Sequence, residues 1–256
     1  MHFIDRNQFT EAPLQKLAER HAKEQAKWVA KIAWQNTPKA DRSGTKPSKP
    51  SSHWNVDAKH ELAAMFKSNC GYCGKHAGVS RDGQVDHHLP KSKDIDAAQV
   101  YDWCNYVWSC GQCNSKKSNH YPILNPCCKT EMGFIYFNEK SGKYLCYSNA
   151  TSQIEYSFDE TVKWTHINEP DICLSRKVFA ENISRTIKEI RSNLFKSKIA
   201  FPNKLDEAIN KLKDLLTMVR KNYLWLASFI IEDYKTSLKD ANDFPFSIDD
   251  FITETS

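Results

Sequence analysis

Residues 83 to 92 read GQVDHHLPKS, a stretch in which several side chains could do chemistry. Asp86 offers a hard carboxylate oxygen suited to Mg²⁺, and His87 an imidazole that titrates near neutrality and can take a proton from water. Together they describe metal-assisted hydrolysis. An Asp-His pair alone is common in ordinary loops, but Asn105 and Asn114 downstream add weight to this one. Two C-x-x-C pairs, Cys70/Cys73 and Cys110/Cys113, bracket the stretch with 36 residues between them. Four thiolates paired in this way make a tetrahedral Zn²⁺ site. Such a site is closed and structural, so it cannot activate water; any catalysis must lie in the residues it staples together. Zinc thus belongs to the cysteines and not to Asp86-His87-His88. Lys91, Lys116 and Lys117 flank the stretch and are candidates to grip adjacent phosphates, giving sequence-independent, salt-sensitive affinity.

The order Cys70-x-x-Cys73, VDHHLPKS, Asn105-Tyr-Val-Trp-Ser-Cys110-x-x-Cys113-Asn114-x-x-Lys117 resembles the zinc-stapled branch of the HNH endonuclease family. The resemblance covers about fifty residues. It implies an α+β fold: a ββα-metal nuclease core with a structural four-cysteine zinc. It also implies roles. Asp86 would be a ligand of a catalytic Mg²⁺ or Mn²⁺, His87 the general base, Asn105 the residue holding the His87-bearing hairpin, and Asn114 the second protein ligand of the cation. The expected products are a 5′ phosphate and a 3′ hydroxyl. His88 falls where the family has an apolar or variable residue and is given no role. Asn114 stands where the family's last signature histidine is usual, so activity is expected to depend on the supply of Mg²⁺ or Mn²⁺.

The elements that must position these residues are legible in outline. Good helix formers run from Pro13 to about Gln35, with Leu14, Leu17, His21, Trp28 and Ile32 on one stripe and Pro13 suited to a first turn. Residues 36 to 53, NTPKADRSGTKPSKPSSH, are nearly devoid of apolar side chains and read as a mobile basic linker. A short helix is expected over Val56 to Lys67. GFIYFNEKSGKYLCYS alternates apolar and polar residues around Ser141-Gly142, a hairpin pattern that would extend the sheet of the preceding unit. Trp103, Tyr106 and Trp108 should pack the small zinc core rather than stack bases, and Cys104, Cys127 and Cys128 complete no second four-ligand site. Beyond residue 150 the chain reads as helical. Phe179, Ile183, Ile187, Ile190 and Leu194 form one stripe, and Leu205, Ile209, Leu212, Leu216, Val219, Tyr223, Leu226 and Ile230 a second. Three regions follow: 1–53 (N-terminal helix and linker), 54–150 (nuclease core and hairpin) and 151–256 (helical, with surface for a partner).

Composition sets the class. The net charge is +5, and residues 1–55 carry ten Lys/Arg against five Asp/Glu, which suits a polyanionic partner in the N-terminal half. Nine cysteines, an odd number in a chain of 256 residues, fit metal better than a disulfide framework. No run of eighteen apolar residues is present, and charges interrupt the N-terminus where a signal peptide would be apolar, so a soluble cytoplasmic protein is expected with no membrane partner. There is no G-x-x-x-x-G-K-[ST] loop for nucleotide hydrolysis. The layout of the chain, including NSKKSNHYPILNP at 114–126 and DFPFS at 243–247, is similar to the PtuB-like HNH nucleases of Septu-type antiphage systems, some linked to retrons. That similarity implies a PtuA-type ATPase partner, and a retron reverse transcriptase with its nucleic acid where a retron is present. The substrate is nucleic acid, DNA ahead of RNA. Two other readings stand beside this one: a free-standing restriction or homing-type HNH enzyme, for which no separate sequence-reading element is seen, and a non-catalytic zinc module that binds nucleic acid.

Overall fold

The computed structural model describes residues 3–6, 11–199, 207, 210, 211 and 214. The first long element is α1 (Glu11–Asn36), with Pro13 in its first turn, where a missing N–H costs nothing. Leu17, Trp28 and Ile32 are buried from this helix, whereas Leu14, on the same predicted stripe, is exposed. The following segment is irregular apart from a 3₁₀ turn at Lys39–Asp41, and it runs back along α1. Arg42 donates to the carbonyls of Thr37 and Gln35, the Ser51 amide donates to Glu24, and the Tyr101 hydroxyl donates to the Ser51 carbonyl. The expected free linker is therefore a strap tied at both ends.

Two short helices follow, α2 (Trp54–Asp57) and α3 (Lys59–Met65), where one was expected. They cover one side of an antiparallel pair, β1 (Gly83–His87) and β2 (Tyr106–Cys110), registered from Gly83 opposite Cys110 to His87 opposite Tyr106. α4 (Gly111–Lys117) starts at the residue after β2 ends, which completes a ββα unit. Every residue of β2 is buried. At Gly83 the indole of Trp108 lies so close that a Cβ would sit 1.9 Å from its Cζ2, so only glycine fits. Trp108 also donates from Nε1 to the Ala77 carbonyl at 2.9 Å. Trp103, Tyr106 and Trp108 are all buried core residues.

After α5 (Lys129–Met132) comes the hairpin of β3 (Ile135–Asn138) and β4 (Lys143–Cys146). It forms a sheet of its own and does not extend β1–β2, contrary to the sequence expectation. The reason is packing. Asn168 clamps Tyr144 by bonds to its backbone N–H and C=O, and Gly142, at φ +69°, lies against the Cys173 carbonyl. These contacts draw the hairpin toward the C-terminal helices, α6 (Ser152–Trp164) and α7 (Pro170–Ile199). Along α7, Phe179, Ile183, Ile187 and Ile190 are buried as their spacing predicts. The second predicted stripe, Leu205 to Ile230, and DFPFS lie outside the described residues. One cluster of buried apolar side chains joins α1, the ββα unit, the hairpin, α6 and the start of α7.

Candidate active site

Cys70 and Cys73 lie in a turn closed by the Asn69–His76 bridge; Cys110 ends β2 and Cys113 lies in the first turn of α4. Their four sulfurs are buried and lie within 4.8 Å of one another. The Cys73 and Cys110 sulfurs are 3.8 Å apart. A tetrahedron of sulfurs at the usual zinc distance has edges of about 3.8 Å, so the pocket fits Zn²⁺. Among the described residues no other group of three or more His, Cys, Asp or Glu is arranged to hold a metal. The staple fastens the turn at 70–73 to the junction of β2 and α4.

That fastening has a consequence for Asp86. Tyr72, inside the first C-x-x-C, reaches across and donates its hydroxyl to Asp86 Oδ2 at 2.6 Å. From α4, Lys117 places Nζ 3.2 Å from Oδ1 and 3.1 Å from Oδ2, and donates to the His87 carbonyl at 2.7 Å. Both Asp86 and Lys117 are buried. Burial raises the Asp86 carboxyl from its ordinary range, and the Lys117 charge and the Tyr72 hydroxyl oppose that rise. The Tyr72 phenol is itself pushed well up by burial and by the neighbouring carboxylate.

One turn earlier on α4, Asn114 donates from Nδ2 to Gln84 Oε1 at 2.7 Å. Gln84 and Asp86 are two apart on β1 and share a face, so α4 lies over that face with two rungs, Asn114 on Gln84 and Lys117 on Asp86. Asn114 and Asp86 stand on the diagonal between the rungs and are not directly bonded to each other. A carboxylate and an amide oxygen are donors of the hard kind that suits a divalent cation, and a cation on Asp86 would have to take the place of the Lys117 ammonium that now meets both of its oxygens.

His87 is buried between Trp54 and Tyr106, both edge-on, with ring centroids at 4.7 and 5.1 Å. Its Nε2 lies 2.9 Å from the Val100 carbonyl and its Nδ1 3.3 Å from Lys91 Nζ. A carbonyl can only accept, so Nε2 carries the proton and Nδ1 is the basic nitrogen. Burial and the Lys91 charge hold the imidazole well below its usual pKa, hence neutral. Burial likewise brings the Lys91 ammonium down to about 8, against the pull of Asp86.

Asn105 is buried and spans the loop after β1: Oδ1 accepts from the Leu89 amide at 2.7 Å, Nδ2 donates to the Leu89 and Gln99 carbonyls at 3.1 Å each, and its carbonyl accepts from the His88 amide. His88 points away from His87. Its Nε2 meets the Ile123 carbonyl at 3.0 Å, and burial takes its pKa to about 4. Of the lysines flanking the stretch, Lys91 adjoins His87, Lys116 pairs with Glu169 of the α6–α7 connection, and Lys117 is spent on Asp86. Tyr72, Gln84, Trp54 and the Val100 carbonyl were not marked by the sequence. Tyr72 carried the one available signal, its place inside a metal knuckle.

Residues 70–120 match the family model described as HNH endonuclease. The chain carries an HNH endonuclease domain. The match opens on Cys70 and runs three residues past Lys117, so it takes in the whole ββα unit and both C-x-x-C pairs. The chain is also similar to the Septu protein PtuB of Bacillus thuringiensis, 35% identical over 82 residues, which is 30% of this chain and 31% of that protein. The chain thus matches about a third of that relative's length. No solved structure matches it. The matched domain is of a nuclease family, and the four-cysteine cluster within it is a site that could hold zinc. Among the described residues no helix is long and apolar enough to cross a membrane.

Proposed function

We propose that the protein is a metal-dependent endonuclease that hydrolyses phosphodiester bonds to a 5′ phosphate and a 3′ hydroxyl, and that it serves as the nuclease of a Septu-type antiphage system, retron-linked or not, beside a PtuA-type ATPase. The observation that supports this best is the neighbouring placement on one strand of a neutral, carbonyl-oriented His87 and a carboxylate, Asp86, that is paired with the Lys117 ammonium. His87 in this reading is the general base: the Val100 carbonyl fixes the tautomer and leaves Nδ1, 3.3 Å from Lys91 Nζ, as the nitrogen that would take a proton from water. Asn105 is a positioning residue, since its three side-chain bonds set the path of the chain that leaves His87. Asp86 and Asn114 would hold Mg²⁺ or Mn²⁺, which when bound supplies charge to the scissile phosphate and to the leaving 3′ oxygen. Lys117 keeps the buried Asp86 ionised, and Tyr72 orients it from the zinc knuckle. The four cysteines hold a structural zinc.

The proposed partner rests on the likeness to PtuB, a protein named for a Septu system. The regions 1–53, 54–150 and 151–256 then divide the work into substrate approach, chemistry and partner docking. The test is co-purification with the products of neighbouring genes. Cleavage of DNA and of total RNA by the complex follows, with Mg²⁺ or Mn²⁺ and with or without ATP. Co-purification of an ATPase and nucleotide-sensitive cleavage are expected; cleavage by the lone chain, unchanged by any partner or nucleotide, would instead identify a free-standing enzyme.

A further inference from the structure

All three lysines that flank the catalytic stretch have intramolecular partners: Lys117 is inside, on Asp86, Lys116 is paired with Glu169, and Lys91 meets His87 Nδ1. A nuclease of this design still needs cations outside the reacting atoms to hold the strand. The N-terminal region supplies them. Lys31 lies on α1, and Lys46 and Lys49 lie on the strap that the Ser51–Glu24 and Tyr101–Ser51 bonds hold against that helix. Lys46 and Lys49 are exposed and Lys31 half-exposed, and none of the three forms an ion pair among the described residues. Burial, then the charges of Lys49 and Lys46, draw the Lys31 pKa down.

Lys31 is joined to the candidate base by a row of buried rings. Lys31 Nζ lies 4.4 Å from the Trp28 ring, Trp28 is 5.7 Å from Trp54, and Trp54 is 4.7 Å from His87. Lys91, the lysine that adjoins His87, sits 5.1 Å from the same Trp54 ring. Aromatic faces stabilise the cations beside them, but nothing in the described chain neutralises the trio, and like charges held together cost free energy until an anion arrives. The positive groups are spread over α1, the strap and the loop after β1, which suits a polyanion better than a single carboxylate.

We propose that Lys31, Lys46 and Lys49, continued by Lys91, form a track for the phosphate backbone that leads a nucleic acid strand from α1 and the strap to His87. The proposal rests on the nuclease reading and extends its substrate grip from Lys91 to three residues outside the HNH domain. The strap is then part of the enzyme's binding surface, and the N-terminal positive charge has a location and a purpose.

The test uses the full chain carrying Lys31→Gln, Lys46→Gln and Lys49→Gln, against a charge-matched control with Lys129→Gln, Lys140→Gln and Lys143→Gln on α5 and the β3–β4 hairpin. Binding of a fluorescent oligonucleotide is read by anisotropy across a salt series in Ca²⁺, and nicking is read separately in Mn²⁺. The track variant should lose about two to three from the log–log salt slope and bind roughly a hundredfold more weakly near 0.1 M salt, while the control keeps the wild-type slope. Circular dichroism and zinc content should match the wild type, which separates lost contacts from lost fold. Equal losses in both triple variants would reduce the effect to net charge and overturn the track. A track variant that binds oligonucleotide normally but no longer co-purifies with an ATPase would assign the strip to a protein contact and overturn it as well. If the wild type nicks and the track variant nicks and binds equally well, the track fails and the nuclease reading survives. A wild type that neither binds nor nicks, with its co-purified partner present, removes both.

Discussion

Lys117→Met tests the arrangement on which the site depends. Lys117 is fully buried, and its ammonium lies 3.1–3.2 Å from both Asp86 oxygens and 2.7 Å from the His87 carbonyl. Methionine keeps most of the side-chain volume and adapts to its neighbours, so little of the effect should come from a cavity. What remains is a buried carboxylate with Tyr72 as its one hydrogen-bond donor. Breaking a buried pair on one side costs about 3–5 kcal/mol. For a chain of this size each kcal/mol shifts Tm by about 2–4 °C, so the variant should melt about 6–20 °C lower. Thermal and urea unfolding followed by circular dichroism, with zinc content measured alongside, reads this directly. Adding Asp86→Asn removes the uncompensated charge and should recover about 1–3 kcal/mol of the loss. Millimolar Mn²⁺ should raise the Tm of Lys117→Met by more than that of the wild type, since a divalent cation can meet the carboxylate that lost its ammonium. A loss below about 1 kcal/mol, or strict additivity of the two substitutions, would refute the claim that Lys117 is the counter-cation of Asp86.

Three other outcomes follow from the fold. Cys110→Ala should release zinc and unfold the core, because a structural zinc contributes folding free energy and Cys110 sits at the β2–α4 junction; a soluble, folded, zinc-free variant would contradict the staple. Gly83→Ala drives a methyl into the Trp108 indole and should cost about 1–3 kcal/mol or more, with a change in tryptophan fluorescence, whereas wild-type stability would mean that the indole can move freely. Arg176 is buried with its cation 4.6 Å from the Tyr144 ring, and among the described residues its guanidinium has no hydrogen-bond acceptor. Arg176→Met should therefore leave Tm unchanged or raise it, and a fall of several degrees would show that the charge has an acceptor.

Much of this was written in the sequence because metal chemistry and backbone geometry restrict residue type. Only thiolates at knuckle spacing make the four-sulfur site, and their order placed the ββα unit to within a few residues. α1 was legible from its 3.6-residue period, and the β3–β4 hairpin from Ser141-Gly142. The contacts that define the site were not legible. Tyr72 reaches Asp86 only because the knuckle folds over β1, and Lys117 reaches it only because α4 crosses that strand one turn beyond Asn114. Neither distance along the chain, 14 or 31 residues, carries a pattern. A lysine beside a catalytic motif reads as a phosphate grip until tertiary packing buries it. The strap was opaque for the opposite reason: its composition suits a free connector, and what ties it down is a handful of bonds to Glu24, Tyr101 and the end of α1.

The central claim is metal-dependent hydrolysis with His87 as base, and nicking of supercoiled plasmid by His87→Ala tests it most directly. With Mn²⁺ the wild type, with its partner if one is required, should convert plasmid to open circles, and EDTA should stop it. His87→Ala should show no nicking above background at wild-type zinc content and an unchanged circular dichroism spectrum. Undiminished nicking by that variant, folded and zinc-loaded, would contradict the account.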